Sequence, residues 1–372
     1  MGRRADHILA QRGGFVEFLR LPAALFGGIA WFRARLYDVR IFPVLRVDLP
    51  VISVGNLSVG GTGKTPFVEW LIRHFEARSV QVGVLARGYG RKSGELLNDE
   101  GRMLQQAFPE VLQEQNPDRV AGALRLLDCG ADGIVLDDGF QHRRLHRDLD
   151  IVLMDATRPF GLAAPNGGGE PVRSFLPRGF LREGPRALKR AQCVVLTRCD
   201  GVPPDRLQTL KEWVRCHAPK AHLVEAVHRA TTLQDPQGQR QELGALAGRS
   251  ARLISGIGNP AAFERSAELA GLQIQEHTIF PDHHDYVRED LAFLDGLPCD
   301  GAIPASVVLT TAKDWVKLKE LVPEASTWVL LVEMELVGGE QGLLDLLASV
   351  SLDERAEQRR AKRATMHAGL HG

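Results

Sequence analysis

From Val51 onward, short apolar and β-branched runs alternate with longer stretches in which apolar residues recur at helical spacing. Val51 to Val54 is the first run. A Gly-rich turn from Gly55 to Gly63 follows it, then a periodic helix from Lys64 to about Glu76. Further strands are expected at Gln81 to Leu85, Gly133 to Leu136, Ile151 to Met154 and Cys193 to Leu196, with helices at about Gly101 to Glu114 and Arg119 to Leu127. Strands separated by helices imply a mostly parallel sheet covered on both faces. A second alternation comprises Arg252 to Ile254, a helix from about Pro260 to Ala270, Gln273 to Ile279, Val307 to Thr310 and Thr327 to Val332. The stretch from Gln234 to Gln241, rich in Gln, Pro and Gly, reads as the crossing between the two halves.

The N-terminal pattern is different. Leu21 to Phe32 carries no charge and is bounded by Arg20 on one side and Arg33 and Arg35 on the other. Its 12 residues fall short of the roughly 20 needed to span a bilayer. Arg3 and Arg4 before an apolar run imitate a signal peptide, but Glu17, Pro22 and the late position of the run argue against one. A helical pair broken near Pro22 is expected, either docked on its own domain or lying on a membrane surface with arginines at the headgroups. The tail from Asp353 to Arg363 has a charged helical pattern, expected as a solvated end. The implied organisation is an N-terminal helical segment (1–37), a main domain (38–233), a second α/β domain (242–335) and a C-terminal helix with charged tail (336–372).

Composition narrows the function classes. At roughly 150 residues per domain, 372 residues make two domains. Lys plus Arg and Asp plus Glu both number 46, so no global charge draws the chain to nucleic acid. A hydrophobic fraction of 44% with 25% charged residues excludes a disordered chain. The five cysteines contain no CxxC pair, which argues against a disulfide framework or structural zinc and fits a reducing compartment.

The chemistry begins at Ser58-Val59-Gly60-Gly61-Thr62-Gly63-Lys64-Thr65, between an expected strand and an expected helix. Glycines let backbone N–H groups turn toward an anion, and the helix N-terminus adds its dipole. Lys64 reaches the β and γ phosphates of a nucleotide, and Thr65 offers a hydroxyl to Mg²⁺. Ser58 stands where the usual pattern has its first glycine. The fold expected is therefore a P-loop NTPase-like sheet with the smaller α/β domain appended. Ile134 to Asp138 is an apolar run ending in two carboxylates, Asp137 and Asp138, at the end of a strand where such folds bind ligands, so either is a candidate Mg²⁺ ligand. Two rival readings use other segments. Leu196-Thr197-Arg198-Cys199-Asp200 faintly matches the guanine-reading [NT]KxD motif of GTPase or ATPase switches and metal-insertion chaperones, and Gly256-Ile257-Gly258-Asn259 weakly matches a dinucleotide turn.

The string Asp137-Asp138-Gly139-Phe140-Gln141-His142-Arg143-Arg144 is more specific than the loop. With Val54-Gly55-Asn56-Leu57, Arg87-Gly88-Tyr89, Leu181-Arg182-Glu183 and Phe280-Pro281-Asp282-His283, it resembles the tetraacyldisaccharide 4′-kinase family of lipid A synthesis. The resemblance runs from about Leu36 to Lys319 and takes in the apolar N-terminal helix. It implies transfer of the γ-phosphoryl group of ATP, with Mg²⁺, to the 4′-hydroxyl of an acylated disaccharide 1-phosphate at the cytoplasmic face of the bacterial inner membrane. It implies a lipid substrate and a membrane surface as partners, with no nucleic acid and no obligate protein partner. In the family an Asp–His pair supplies the base, which maps here to Asp99 and His283; Asn98 replaces the glycine of the usual acidic motif. By the same resemblance Glu100 assists Mg²⁺, Gln141 and His142 face the phosphates, and Arg182 and Arg119 meet anionic groups. Because Asp99 and His283 are far apart in sequence, closure of the second domain is expected to join catalysis.

Overall fold

A computed structural model describes residues 9–10, 14–89, 96–162, 171–235, 237–281, 284–294, 306–322 and 327–357. The described chain divides into two compact units. The smaller comprises Asp99–Ala107 and His228–Glu335, and the larger comprises the remainder.

In the larger unit, β1 (Val51–Asn56), β2 (Val82–Ala86), β3 (Leu112–Gln115), β4 (Gly133–Asp137), β5 (Leu149–Asp155), β6 (Cys193–Thr197) and the first half of β7 (His222–Gln234) lie in the order β3-β2-β4-β1-β5-β6-β7. Every one of these pairings is parallel. The central strands are continuous apolar runs because both faces are covered: all seven residues of β5 and all six of β1 are buried. Since the strands are parallel, the C-terminal ends of β4, β1, β5 and β6 lie side by side, and the loops leaving them form one rim.

Flanking this sheet are α1 (Arg20–Asp38), α2 (Lys64–Glu76), α4 (Arg119–Asp128), α5 (Pro204–His217) and α8 (Glu340–Ala348); α3 (Asp99–Ala107) belongs to the smaller unit. Phe67, Leu71, Ile72 and Phe75 give α2 a fully apolar inner stripe at i, i+4 and i+8 spacing. Asp118 caps α4, accepting from the N–H groups of Val120 and Ala121.

Several expectations are corrected. No break occurs at Pro22: α1 is one helix, preceded by a 3-10 turn over Gly14–Leu19, and Pro22 occupies its first turn, where a missing N–H costs nothing. Together these form an apolar stretch, Gly14–Asp38, long enough by length and composition to cross a membrane. The helix expected from Gly101 to Glu114 stops at Ala107, and Leu112–Gln115 forms the edge strand β3 on β2. The expected solvated tail is docked as far as it is described. Leu352 and Ala356 are buried, and the Leu352 side chain occupies the place where a Cβ on Gly133 would stand.

The smaller unit contains β9 (Ser250–Ser255), β10 (Gln273–Ile279), β11 (Ser306–Thr311) and β12 (Thr327–Gly338), with the parallel pairs β10–β9, β9–β11 and β11–β12. β8 (Arg240–Glu242) adds an antiparallel hairpin to the end of β7. Its helices are α3, α6 (Pro260–Leu269) and α7 (Ala312–Leu318). Leu253, Phe263, Ala267, Leu309 and Trp328 form its core. The chain passes between the units within β7 and β12.

Candidate active site

In the larger unit, the loop leaving β1 is exposed at Val59, Gly60 and Gly61 and buried at Ser58, Thr62 and Gly63. Gly60 (φ +120°) and Gly63 (φ +87°) adopt left-handed conformations that other residues resist, and Gly63 is the residue from which α2 starts. A Cβ on Gly60 would meet nothing within 4 Å, so the crest is open. The base of the loop is pinned by its neighbours. Val59 N donates to the Phe180 carbonyl at 2.8 Å, Asn56 Nδ2 to Thr62 Oγ1 at 3.1 Å, and Thr197 Oγ1 to the Thr62 carbonyl at 2.9 Å. Arg198 donates to the Gly61 carbonyl at 2.9 Å and pairs with Asp155. The Thr197-Arg198 segment is thus engaged with the phosphate loop, while Asp200 is exposed; the guanine-reading alternative gains no support.

Asp137 ends β4, and Asp138 follows it in a left-handed turn (φ +52°) that Asp tolerates better than most residues. Gly139 is required next: a Cβ there would stand 2.8 Å from Ser53 Oγ and 2.6 Å from Leu136 Cγ. Phe140 is then fully buried against Gly55, where a Cβ would fall 2.5 Å from its own. This close contact gives the Asp-Asp-Gly-Phe string a steric reason.

Asp138 is held between two cations. Arg182 donates to Asp138 Oδ2 at 2.8 Å and Oδ1 at 3.1 Å, and to Asn56 Oδ1 at 2.9 Å; Lys64 Nζ lies 3.7 Å from Asp138 Oδ1. Burial opposes ionisation of Asp138, but Lys64 and Arg182 outweigh it and keep the carboxyl below its ordinary range. Arg119 is 3% exposed; its charge is disfavoured by burial and Arg87 and supported by Asp137 and Asp138. Gln141 donates to the Asn56 carbonyl at 2.8 Å. His142 is pushed down to about 4, first by burial and then by Arg119, Arg147, Arg33 and Arg144. Its Nε2 is buried without a hydrogen-bond partner among the described residues.

Thr65 and Asp137 offer hard oxygen donors of the kind Mg²⁺ takes, next to a loop whose open glycine crest fits a polyphosphate. Asn56 entered the sequence reading only within the resembling Val54–Leu57 string, and Thr197 and Arg198 only within the guanine-reading match, so their place at the base of the phosphate loop was missed; Asp155 carried no signal at all.

Asp99 and Glu100 open α3 in the smaller unit, and Glu100 is partly exposed. The Asp99 carboxylate accepts from Arg102 at 2.6 Å and pairs with Lys317 Nζ at 2.7 Å. Burial works against its charge, but these two cations hold it below the usual carboxylate range. His283 and Asp282 lie outside the described residues. Beyond them, His284 stacks on Phe280 (4.7 Å between ring centroids) and its Nε2 lies 2.8 Å from Asp290 Oδ2. The turn at Gly256 is filled by the unit's own side chains: Tyr286 Oη would lie 2.8 Å from a Cβ there, and this hydroxyl donates to buried Asp314 at 2.9 Å. A dinucleotide has no support at this turn.

At the N-terminus, α1 turns its small residues inward and its large ones outward. Ala23 and Gly27 are buried, with Gly27 directly against the Phe175 ring, whereas Leu21, Leu25, Ile29, Trp31 and Phe32 are exposed. Arg143 donates to the Ala34 carbonyl and to Asp38, and Arg33 to the Gln141 carbonyl, which ties this helix to the segment after β4.

A family model described as tetraacyldisaccharide-1-P 4′-kinase (LpxK) matches residues 16–351. The tetraacyldisaccharide 4′-kinase of Anaeromyxobacter dehalogenans strain 2CP-C is 38% identical over 353 residues, covering 89% of each chain. That of Geobacter sulfurreducens is 37% identical over 317 residues, covering 81% of this chain and 83% of its own. The crystal structure of LpxK from Aquifex aeolicus in complex with ATP superposes with a TM-score of 0.70 at 28% identity, covering 91% of this chain and 99% of that one. A match of this extent, on a chain with this phosphate loop and Asp-Asp-Gly-Phe turn, shows that the protein belongs to the tetraacyldisaccharide 4′-kinase family.

Proposed function

We propose that this kinase moves the γ-phosphoryl group of ATP to the 4′-hydroxyl of a tetraacylated disaccharide 1-phosphate. The observation that carries the reading is the family match across 16–351 on a chain whose phosphate loop keeps Lys64 at the start of a helix. A loose phosphoryl-transfer transition state spreads negative charge over the γ oxygens, so positioning and cationic stabilisation do most of the catalysis. The N–H groups of Gly60, Gly61, Gly63 and Lys64 receive the phosphates, and the Lys64 ammonium offsets the negative charge on the transferring group. Arg182 and Asn56 keep Asp138 and the loop base in register with one another. Thr65 with Asp137 or Asp138 are the residues that would hold Mg²⁺, which when bound neutralises phosphate charge.

The acceptor hydroxyl is a weak nucleophile, and Asp99, to which the family resemblance assigns His283 as partner, takes its proton as the oxygen attacks phosphorus. The bond from the γ-phosphorus to the bridging oxygen breaks, and ADP leaves. Arg119, Gln141 and His142 line the anion-binding side. The exposed apolar face of α1 lies on the cytoplasmic face of the inner membrane, with Arg33 and Arg35 near the headgroups, where the acyl chains of the substrate are anchored.

The test is transfer of label from γ-labelled ATP, with Mg²⁺, to detergent-dispersed tetraacyldisaccharide 1-phosphate. Labelling by the natural chain and none by Lys64→Ala supports the reading. No lipid labelling together with lipid-independent GTP hydrolysis overturns it.

A further inference from the structure

Lys317 has no place in the phosphoryl-transfer scheme above, yet it stands at a junction. It lies in the last turn of α7, and its Nζ is 2.7 Å from Asp99 Oδ2, 3.0 Å from the His284 carbonyl and 3.3 Å from Asp285 Oδ1. A lysine ammonium carries three protons on a compact head and can serve three oxygens at once. Here they belong to two separate segments, the start of α3 and the loop after β10.

An ordinary surface ion pair contributes little because water screens it. This one is different in setting, since the side chains of Lys317 and Asp99 are only 14% and 19% exposed. The two cations on Asp99 also differ in kind. Arg102 sits one turn further along α3, so it travels with Asp99. Lys317 belongs to another helix and fixes the carboxylate against the rest of the unit.

That helix is itself anchored. Thr311 caps it, with its hydroxyl 2.7 Å from Asp314 Oδ2. Asp314, one turn before Lys317, is buried and accepts the Tyr286 hydroxyl. The loop residues 284–286 are therefore clamped to α7 twice, by Asp314 at Tyr286 and by Lys317 at His284 and Asp285. Only the second clamp reaches Asp99.

We infer that Lys317 is a positioning residue for the reaction: its ammonium sets the orientation of the Asp99 carboxylate and locks it to the His284–Asp285 loop. This rests on the reading of Asp99 as the base. Lys317 touches no reacting atom, and it acts through the placement of Asp99. A small misplacement of a catalytic group slows the chemical step while leaving nucleotide binding intact, so the effect belongs in kcat.

The experiment measures steady-state phosphorylation of tetraacyldisaccharide 1-phosphate by the full chain and by Lys317→Met, Lys317→Arg, Asp99→Asn and the Asp99→Asn/Lys317→Met pair. Thermal melting checks that each is folded; Lys317→Gln is read in the same way if the methionine variant does not purify. We expect Lys317→Met to lower kcat by roughly 10- to 100-fold with KM for ATP within about twofold, and Lys317→Arg to recover most of the loss. The double variant should be no slower than Asp99→Asn by more than about twofold, the signature of two residues acting as one unit. The inference is overturned if Lys317→Met keeps a kcat within about twofold of the natural chain while Asp99→Asn is severely impaired, or if it slows Asp99→Asn by the same factor as it slows the natural chain. Near-normal turnover by Asp99→Asn would instead remove Asp99 as the base and take this inference with it.

Discussion

The protonation of His142 makes a quantitative prediction about acid stability. Burial, followed by the arginines at 119, 147, 33 and 144, pushes its folded value from the ordinary 6.5 down to about 4. Above pH 6.5 the ring is neutral whether the chain is folded or not, so it contributes no pH dependence there. Below that value the unfolded chain binds a proton that the folded chain refuses, so stability falls as pH falls, until the folded ring also protonates near pH 4. With these two values, linkage gives a loss of about 1.8 kcal/mol between pH 7 and pH 5, reduced toward about 1 kcal/mol by solvent reaching part of the ring. The perturbation is His142→Gln, which keeps polarity and removes the titration. Urea unfolding of both chains at pH 7 and pH 5 should show the natural chain losing roughly 1 to 2 kcal/mol more than the variant over that interval, other titrations cancelling in the difference. A ring proton resonance lost in the variant identifies His142 in the natural chain, and its titration midpoint should lie near 4. Equal pH dependence in the two chains, or a midpoint near 6.5, would refute the burial of this ring beside these arginines.

Leu352→Ala should destabilise the larger unit by about 2 to 5 kcal/mol, since it empties a site packed against Gly133; a solvated tail would show no change in thermal melting. Arg198→Met removes the donor to the Gly61 carbonyl and should lower kcat/KM for ATP by roughly tenfold or more, measured at saturating lipid; an unchanged value would detach Arg198 from loop positioning. Leu25→Glu combined with Ile29→Glu alters the exposed face of α1 and leaves the Ala23–Gly27 contact alone. Sedimentation with anionic vesicles should weaken while turnover in detergent persists, and equal loss in both would argue against a membrane-facing role.

The parts of the fold visible in the sequence were those whose signal is local. β1, β4, β5 and β6 are buried on both faces, so they appear as unbroken apolar runs, and α2 shows its buried stripe at helical spacing. Where the environment is decided by distant partners, the pattern misleads. Leu112-Gln113-Glu114-Gln115 has no strand composition and extends only because β2 offers it an edge. α5 buries little beyond Leu210 and Val214, too narrow a stripe to stand out. Leu352 carries no sign at the head of a charged tail that it docks on β4's first residue, because the complementary signal is the absence of a side chain at Gly133.

The same distinction separates the site residues. A phosphate loop must be contiguous, because successive N–H groups face one anion, and the Asp-Asp-Gly-Phe turn must be contiguous, because Gly139 fits against Leu136 and Ser53 while Phe140 lies on Gly55. Steric demands of this kind write themselves into neighbouring letters. Orientation does not: the arginine that steadies Gly61 is 137 residues away, and the one that links Asp138 to Asn56 is 126 residues from Asn56. Each of these contacts needs only a cation on a long stem reaching a fixed oxygen, a requirement that dozens of lysines and arginines in a chain with 46 of them would satisfy equally well on paper. The first layer of a site is constrained by shape and so leaves a motif, whereas the layer that aims it is constrained by distance in space. Lys317 belongs to that second layer, and only the convergence of α3, α7 and the loop after β10 on one ammonium distinguishes it from an ordinary surface lysine.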